Sequence, residues 1–112
     1  MTLSPRVVIH LDEREKAALV LRNAKNLATE LEEVEVEIVV HADGVEGIRA
    51  GGPNTGLMDM LAGRGVRFVV CENTLRSRNL TMENFPGYVE TVPSGIVELV
   101  VRQAEGWCYL RP

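Results

Sequence analysis

Three short apolar runs in this chain end alike: Val7-Val8-Ile9-His10, Ile38-Val39-Val40-His41 and Phe68-Val69-Val70-Cys71. Each has the length and β-branched content of a strand buried on both faces. The stretches between them are long enough for a crossover helix. Strands that alternate with helices pair in parallel, and the helices cover both faces of the sheet. In such sheets ligands and chemistry collect beyond the carboxyl ends of the strands. If the three runs are parallel, His10, His41 and Cys71 share that edge.

The remaining elements follow from periodicity. Asp12, with Glu15 three positions on, reads as a helix N-cap with its capping-box partner. Ala17, Val20, Ala24, Leu27, Ala28 and Leu31 then recur at helical spacing. In the second strand Val34, Val36 and Ile38 point one way while Glu35 and Glu37 point the other, which predicts one wet face. Ala42 to Thr55 is rich in glycine, and Gly51-Gly52-Pro53-Asn54-Thr55-Gly56 reads as a mobile flap. Leu57, Met58, Leu61 and Ala62 restore a helical pattern that Gly63 and Gly65 end. Residues 72–87 have room for one or two short helices, and Tyr88 to Val92 is a weak fourth strand. Ser94 is the expected N-cap of a last helix with Ile96, Val97, Val100, Val101 and Ala104 as its buried stripe. Gly106 closes it, and Trp107-Cys108-Tyr109-Leu110 is a terminal strand.

Composition narrows the class. With 112 residues, 46% of them apolar, the chain is expected to form a single globular domain over residues 1–112. The net charge of −4 comes from 16 acids against 12 bases, with no basic run, so no nucleic-acid partner is expected. No apolar stretch approaches the ~20 residues of a membrane span. Met1-Thr2-Leu3-Ser4-Pro5-Arg6 does not begin a signal peptide, so the expected compartment is the cytoplasm. The two cysteines lie far apart, which excludes a two-cysteine redox motif or zinc knuckle.

Cys71 is the foremost candidate for chemistry. Asn73 or Thr74 is placed to cap a short helix after it, and a cysteine before a helix start meets free amides that favour its thiolate. Arg76 and Arg78 add to that field, and Glu72 opposes it. The plainer reading is a small buried residue. His10 and His41 would stabilise a neighbouring thiolate, or serve only as hydrogen-bonded structural groups. Together with Cys71 they could bind zinc or copper, but no carboxylate or second thiolate is evident beside them, so no metal is expected. Cys108 reads as core filler beside Leu110. Trp107 and Tyr109, on the other face of that strand, are expected to be exposed interface anchors. Asn23 and Asn26 flank the stripe of the first helix, at a ligand, a subunit contact or solvent.

Familiar phosphate sites are absent from the sequence. Leu11-Asp12-Glu13-Arg14-Glu15 would repel a phosphate where a flavodoxin-type loop cradles one. A receiver domain wants Asp where Cys71 stands, and a tyrosine-phosphatase loop wants Arg where Ser77 stands.

Several segments resemble the DsrE/DsrF-like family. They are Cys71-Glu72-Asn73-Thr74-Leu75, Val92-Pro93-Ser94-Gly95 and Gln103-Ala104-Glu105-Gly106-Trp107-Cys108-Tyr109-Leu110-Arg111-Pro112, with His10-Leu11-Asp12 and Asn26-Leu27 in support. The resemblance spans essentially the whole chain and is to the stand-alone branch of the family. It implies a five-stranded, mostly parallel α/β/α sandwich, flavodoxin-like in outline, that assembles as homotrimers or hexamers. It also implies sulfur relay without a cofactor, in which Cys71 occupies the position of a cysteine that carries sulfane sulfur. On this reading Cys71 is the nucleophile, and His10 or His41 manages protons. Glu72, Asn73, Thr74 and Asn26 contact the ligand, and the partners are a homotrimer and a sulfur-donor or acceptor protein. The rival reading is a non-catalytic oligomeric module that binds a small ligand or protein at the same edge.

Overall fold

A computed structural model describes residues 4–112; Met1, Thr2 and Leu3 of the leader reading lie outside the described residues. Strands β1 (Arg6–Leu11), β2 (Glu35–Val40), β3 (Arg67–Cys71), β4 (Glu90–Val92) and β5 (Cys108–Leu110) form one sheet in the order β4-β3-β2-β1-β5. Every pairing is parallel. Helices α1 (Ala17–Glu30), α2 (Thr55–Gly63), α3 (Glu72–Ser77) and α4 (Gly95–Ala104) make the crossovers. This is the α/β/α sandwich expected. No helix among the described residues is long and apolar enough to cross a membrane.

The topology distributes the helices unequally. From β1 to β4 each strand is added beside the last in one direction, so crossovers of constant hand fall on one face. There α1, α2 and α3 cover the larger core, which includes Ile9, Leu11, Val20, Leu21, Ile38, Met58, Leu61 and Phe68. Only the return from β4 to β5, on the far side of β1, uses the other face. That face has a small core of Val8, Val39, Val69, Val92 and Leu99.

Several local expectations yield to this packing. The predicted stripe of α4 is turned outward: Ile96, Val97, Val100 and Val101 are 54%, 58%, 60% and 43% exposed, Ala104 is exposed, and Gly95 and Leu99 are the residues buried. Glu37, expected in water, lies under α4 with 1% exposure. Its carboxylate meets Arg67 at 2.8 Å and Arg102 at 3.2 Å. Asp12 does not cap a helix. A 3-10 turn at Arg14–Lys16 precedes α1, its N-cap position is Glu13, and no side chain caps it. The glycine-rich segment expected as a flap is a stitched turn, in which Asn54 donates to the Gly47 carbonyl and the Thr55 hydroxyl to that of Gly52. Ser94 does cap α4 by accepting from the Val97 amide, and Gly106 takes the positive φ (92°) that ends it.

Candidate functional site

The site is built by a period-2 pattern repeated on neighbouring strands. Val8, Val39 and Val69 point into the small core under Leu99. Two residues further along, on the same face, come His10, His41 and Cys71. All three therefore emerge at the carboxyl edge beside the start of α4. The approach there is close: a Cβ on Gly95 would lie 3.2 Å from the His41 Cβ and 3.4 Å from the Cys71 Cβ.

Cys71 is itself the N-cap residue of α3, so neither Asn73 nor Thr74 caps that helix as expected. Its thiol makes no full capping bond, yet it is ringed by donors. Burial works against ionisation. The Gly95 amide, the Thr74 amide and hydroxyl and the Asn73 amide outweigh it, holding the pKa below that of an ordinary thiol. Thr74 is oriented for this role. Its Oγ1 accepts from the Ala42 amide at 3.0 Å, which leaves its own proton for the sulfur. Ala42 holds a left-handed backbone (φ 50°), at a cost of about 1 kcal/mol for a residue with a Cβ. Cys71 is 4% exposed.

The histidines form a chain with a residue from the far end of the sequence. His10 Nδ1 lies 2.7 Å from the Tyr109 hydroxyl oxygen, and His10 Nε2 lies 2.6 Å from His41 Nε2. Only one hydrogen fits between the two imidazoles. Burial, and for His10 also the proximity of His41, lowers their pKa values, so both are neutral at pH 7. Asp12 stands at the same place. It is paired with Arg111 at 3.1 Å; burial works against ionisation, but Arg111, His10 and its own backbone amide together hold its carboxyl below the ordinary value.

The structure thus brings together His10, His41, Cys71, Asn73 and Thr74, with Glu72 in the first turn of α3 beside them. Asn26 does not join them; it lines a depression with Asn23, Leu27 and Leu110 on the α1 face. Arg76 pairs with Asn73 and Glu72 within α3, and Arg78 pairs with Asp43 and Glu46. His10, His41 and Cys71 form no metal tripod, because the atoms that converge are those of His10, Asp12 and His41. The carboxylate judged absent is therefore present. Cys108 is exposed, contrary to the core reading, on β5, a three-residue edge strand that is exposed along its length. Trp107 is half-buried between the guanidinium groups of Arg6 and Arg102, 5.5 and 4.7 Å from its ring centre, and Tyr109 is 38% exposed. Three contributors escaped the sequence reading. In the sequence Gly95 stands out only within the family-like segment Val92-Pro93-Ser94-Gly95, Tyr109 reads as an interface aromatic, and Asp12 as a cap and part of the family-like His10-Leu11-Asp12 turn.

A family model for the DsrE/DsrF-like family matches residues 7–112. The chain belongs to the DsrE/DsrF-like family. Among solved structures, the DsrE-like fold seen here superposes on MTH1491 from Methanobacterium thermoautotrophicum, a protein described as of unknown function. The TM-score is 0.91 and the identity 39%, covering 96% of this chain and 99% of that one. The ychN protein of E. coli shares the fold at TM-score 0.80 and 18% identity, over 98% of this chain and all of its own. BT1422 from Bacteroides thetaiotaomicron, also described as of unknown function, does so at 0.69 and 11%, over the full length of both. No curated protein matches the chain.

Proposed function

We propose that this DsrE-like protein is a sulfur carrier that holds sulfane sulfur on Cys71. The observation that carries the reading is the ring of donors from Gly95, Thr74 and Asn73 around a thiol that needs no partner when neutral. Such a ring favours a sulfur anion, whether thiolate or persulfide. Family membership supports the same chemistry. In the loading step the Cys71 thiolate attacks the outer sulfur of a donor persulfide, R–S–SH. A new S–S bond forms at Cys71, the donor's S–S bond breaks, and the donor leaves as its thiolate, so no external oxidant is required. Transfer to an acceptor thiolate is the same exchange in reverse. The neutral imidazoles of His10 and His41 give the edge a basic group beside the sulfur.

We further propose that the working unit is a homo-oligomer, a trimer first. Support comes from the outward aliphatic face of α4 on the side of the sheet with a single helix, where a second copy would supply the missing cover.

The carrier reading is tested in a Cys108→Ser background, which removes the exposed thiol. Incubation with a low-molecular-weight persulfide at pH 7 should add one sulfur, about 32 Da, to Cys71. That sulfur should pass to an added acceptor thiol. Absence of uptake by a folded protein would leave the edge as a ligand-binding site and end the carrier reading.

A further inference from the structure

We infer that His10, Asp12 and His41 form a binding site for a divalent transition-metal ion of the zinc class. Their three ligand atoms lie within 4.8 Å of one another at the carboxyl edge of the sheet. Strand alternation puts His10 and Asp12, two residues apart at the end of β1, on one side, and the parallel neighbour β2 delivers His41 to the same place. Two imidazoles and one carboxylate are a common three-residue donor set for zinc, with a fourth position left for water.

The two facing nitrogens are the strongest argument. His10 Nε2 and His41 Nε2 point at each other across 2.6 Å, where the interaction holds one proton. An ion that replaces this proton needs the nitrogens about 3.3 Å apart if each bond is ~2.05 Å and the geometry tetrahedral. Side-chain rotation of less than about 1 Å provides that opening.

The surrounding residues already hold the ligands. The Tyr109 hydroxyl sits on His10 Nδ1, the nitrogen that would face away from the ion, and so fixes which nitrogen is offered. Arg111 grips Asp12 through Oδ2 and orients the carboxylate. Both supporting residues come from the segment at and after β5, which lies against β1. Cys71 is not part of the convergent set. Through Gly95 it is a near neighbour of His41, on the strand beside β2. With the ion bound, the imidazole lone pairs are committed to it, and their influence on Cys71 becomes electrostatic. The site itself does not depend on the sulfur-carrier reading.

Full-length protein stripped with chelator and dialysed is titrated with cobalt(II), followed by its d–d absorption, and then with zinc in competition. One cobalt per chain at micromolar affinity, displaced by one zinc, is expected. His41→Ala and Asp12→Asn should each weaken binding about 100-fold or more, Tyr109→Phe about tenfold, and Cys71→Ser less than about twofold. Asp12→Asn preserves shape at a half-buried position, so it reports on the site even if His41→Ala fails to fold. No saturable cobalt binding by the wild-type protein, or unchanged binding by Asp12→Asn, overturns the site. A steep loss with Cys71→Ser overturns this ligand set. Sulfur uptake at Cys71 is measured on the metal-free protein, so failure of one reading leaves the other to stand or fall separately.

Discussion

At Gly95 a single missing carbon sets the geometry of the candidate site. Replacement by alanine would put a Cβ 3.2 Å from that of His41 and 3.4 Å from that of Cys71, so the start of α4 must shift by a few tenths of an ångström. The Gly95 amide would then move away from the sulfur it favours. We expect Gly95→Ala to change stability by no more than about 1 kcal/mol, since the displacement is small. Sulfur uptake at Cys71 should fall about tenfold, in proportion to a lost charge-assisted hydrogen bond of ~1.5 kcal/mol. Mass spectrometry of loaded protein against urea unfolding of the same sample separates the two effects. Cys108 offers the contrast. It is exposed on an edge strand, so Cys108→Ser should leave stability within about 0.5 kcal/mol of the parent in urea unfolding. Cys71 was legible because a buried strand that ends in a thiol is a local pattern. The exposure of Cys108 was not, because alternation along a strand cannot say whether any helix covers it.

Among the elements, β2 and α4 share the least expected interaction. Glu37 is read as wet from its alternation with Val36 and Ile38, yet α4 lies over it and brings Arg102 and Glu98 to its carboxyl. Burial raises its pKa to about 7, Glu98 adds to the shift, and Arg102 opposes it. The folded protein therefore binds this proton more tightly than the unfolded chain, whose carboxyl has the ordinary value of 4.5. The resulting stability is fully present below that value and is lost as pH rises towards 7 and beyond. The Glu37 contribution, read in urea melts as the difference between wild type and Glu37→Gln, should accordingly fall between pH 5 and 8 by at most about 3 kcal/mol. His10 and His41, whose pKa values are lowered, contribute the opposite trend in both proteins. A wild-type minus Glu37→Gln difference that rises over this window would refute the assignment. The ends of α4, its Ser94 cap and the glycine Gly106, are legible in the sequence. Its buried face is not legible, because Ile96, Val97, Val100 and Val101 make a convincing stripe, and periodicity does not distinguish a core from an uncovered surface.

For the whole molecule, the unequal coverage of the sheet makes the prediction. One face holds a large core under three helices, and the other holds a small one under α4, whose outer side remains aliphatic. Light scattering at micromolar concentration should report a closed oligomer, with three copies expected first. Val100→Lys should shift it to monomers without loss of fold, because Val100 is 60% exposed within the chain and contributes little to its core. A wild-type monomer, or a Val100→Lys oligomer of unchanged size, would remove α4 as the contact. Much of the architecture was fixed by local chemistry alone. Apolar runs of strand length, helical periodicity between them and glycine or proline at their ends are short-range properties, and they specify an alternating α/β chain with His10, His41 and Cys71 at one edge. Tertiary structure decided what short-range patterns do not carry: which strands are neighbours, which face receives the lone helix, and which distant residues meet. Tyr109 reaches His10, and Arg111 reaches Asp12, across almost the entire length of the chain because β5 pairs with β1. That pairing depends on the hand of the last crossover and the burial it achieves, a property of the assembled layers that no single segment encodes.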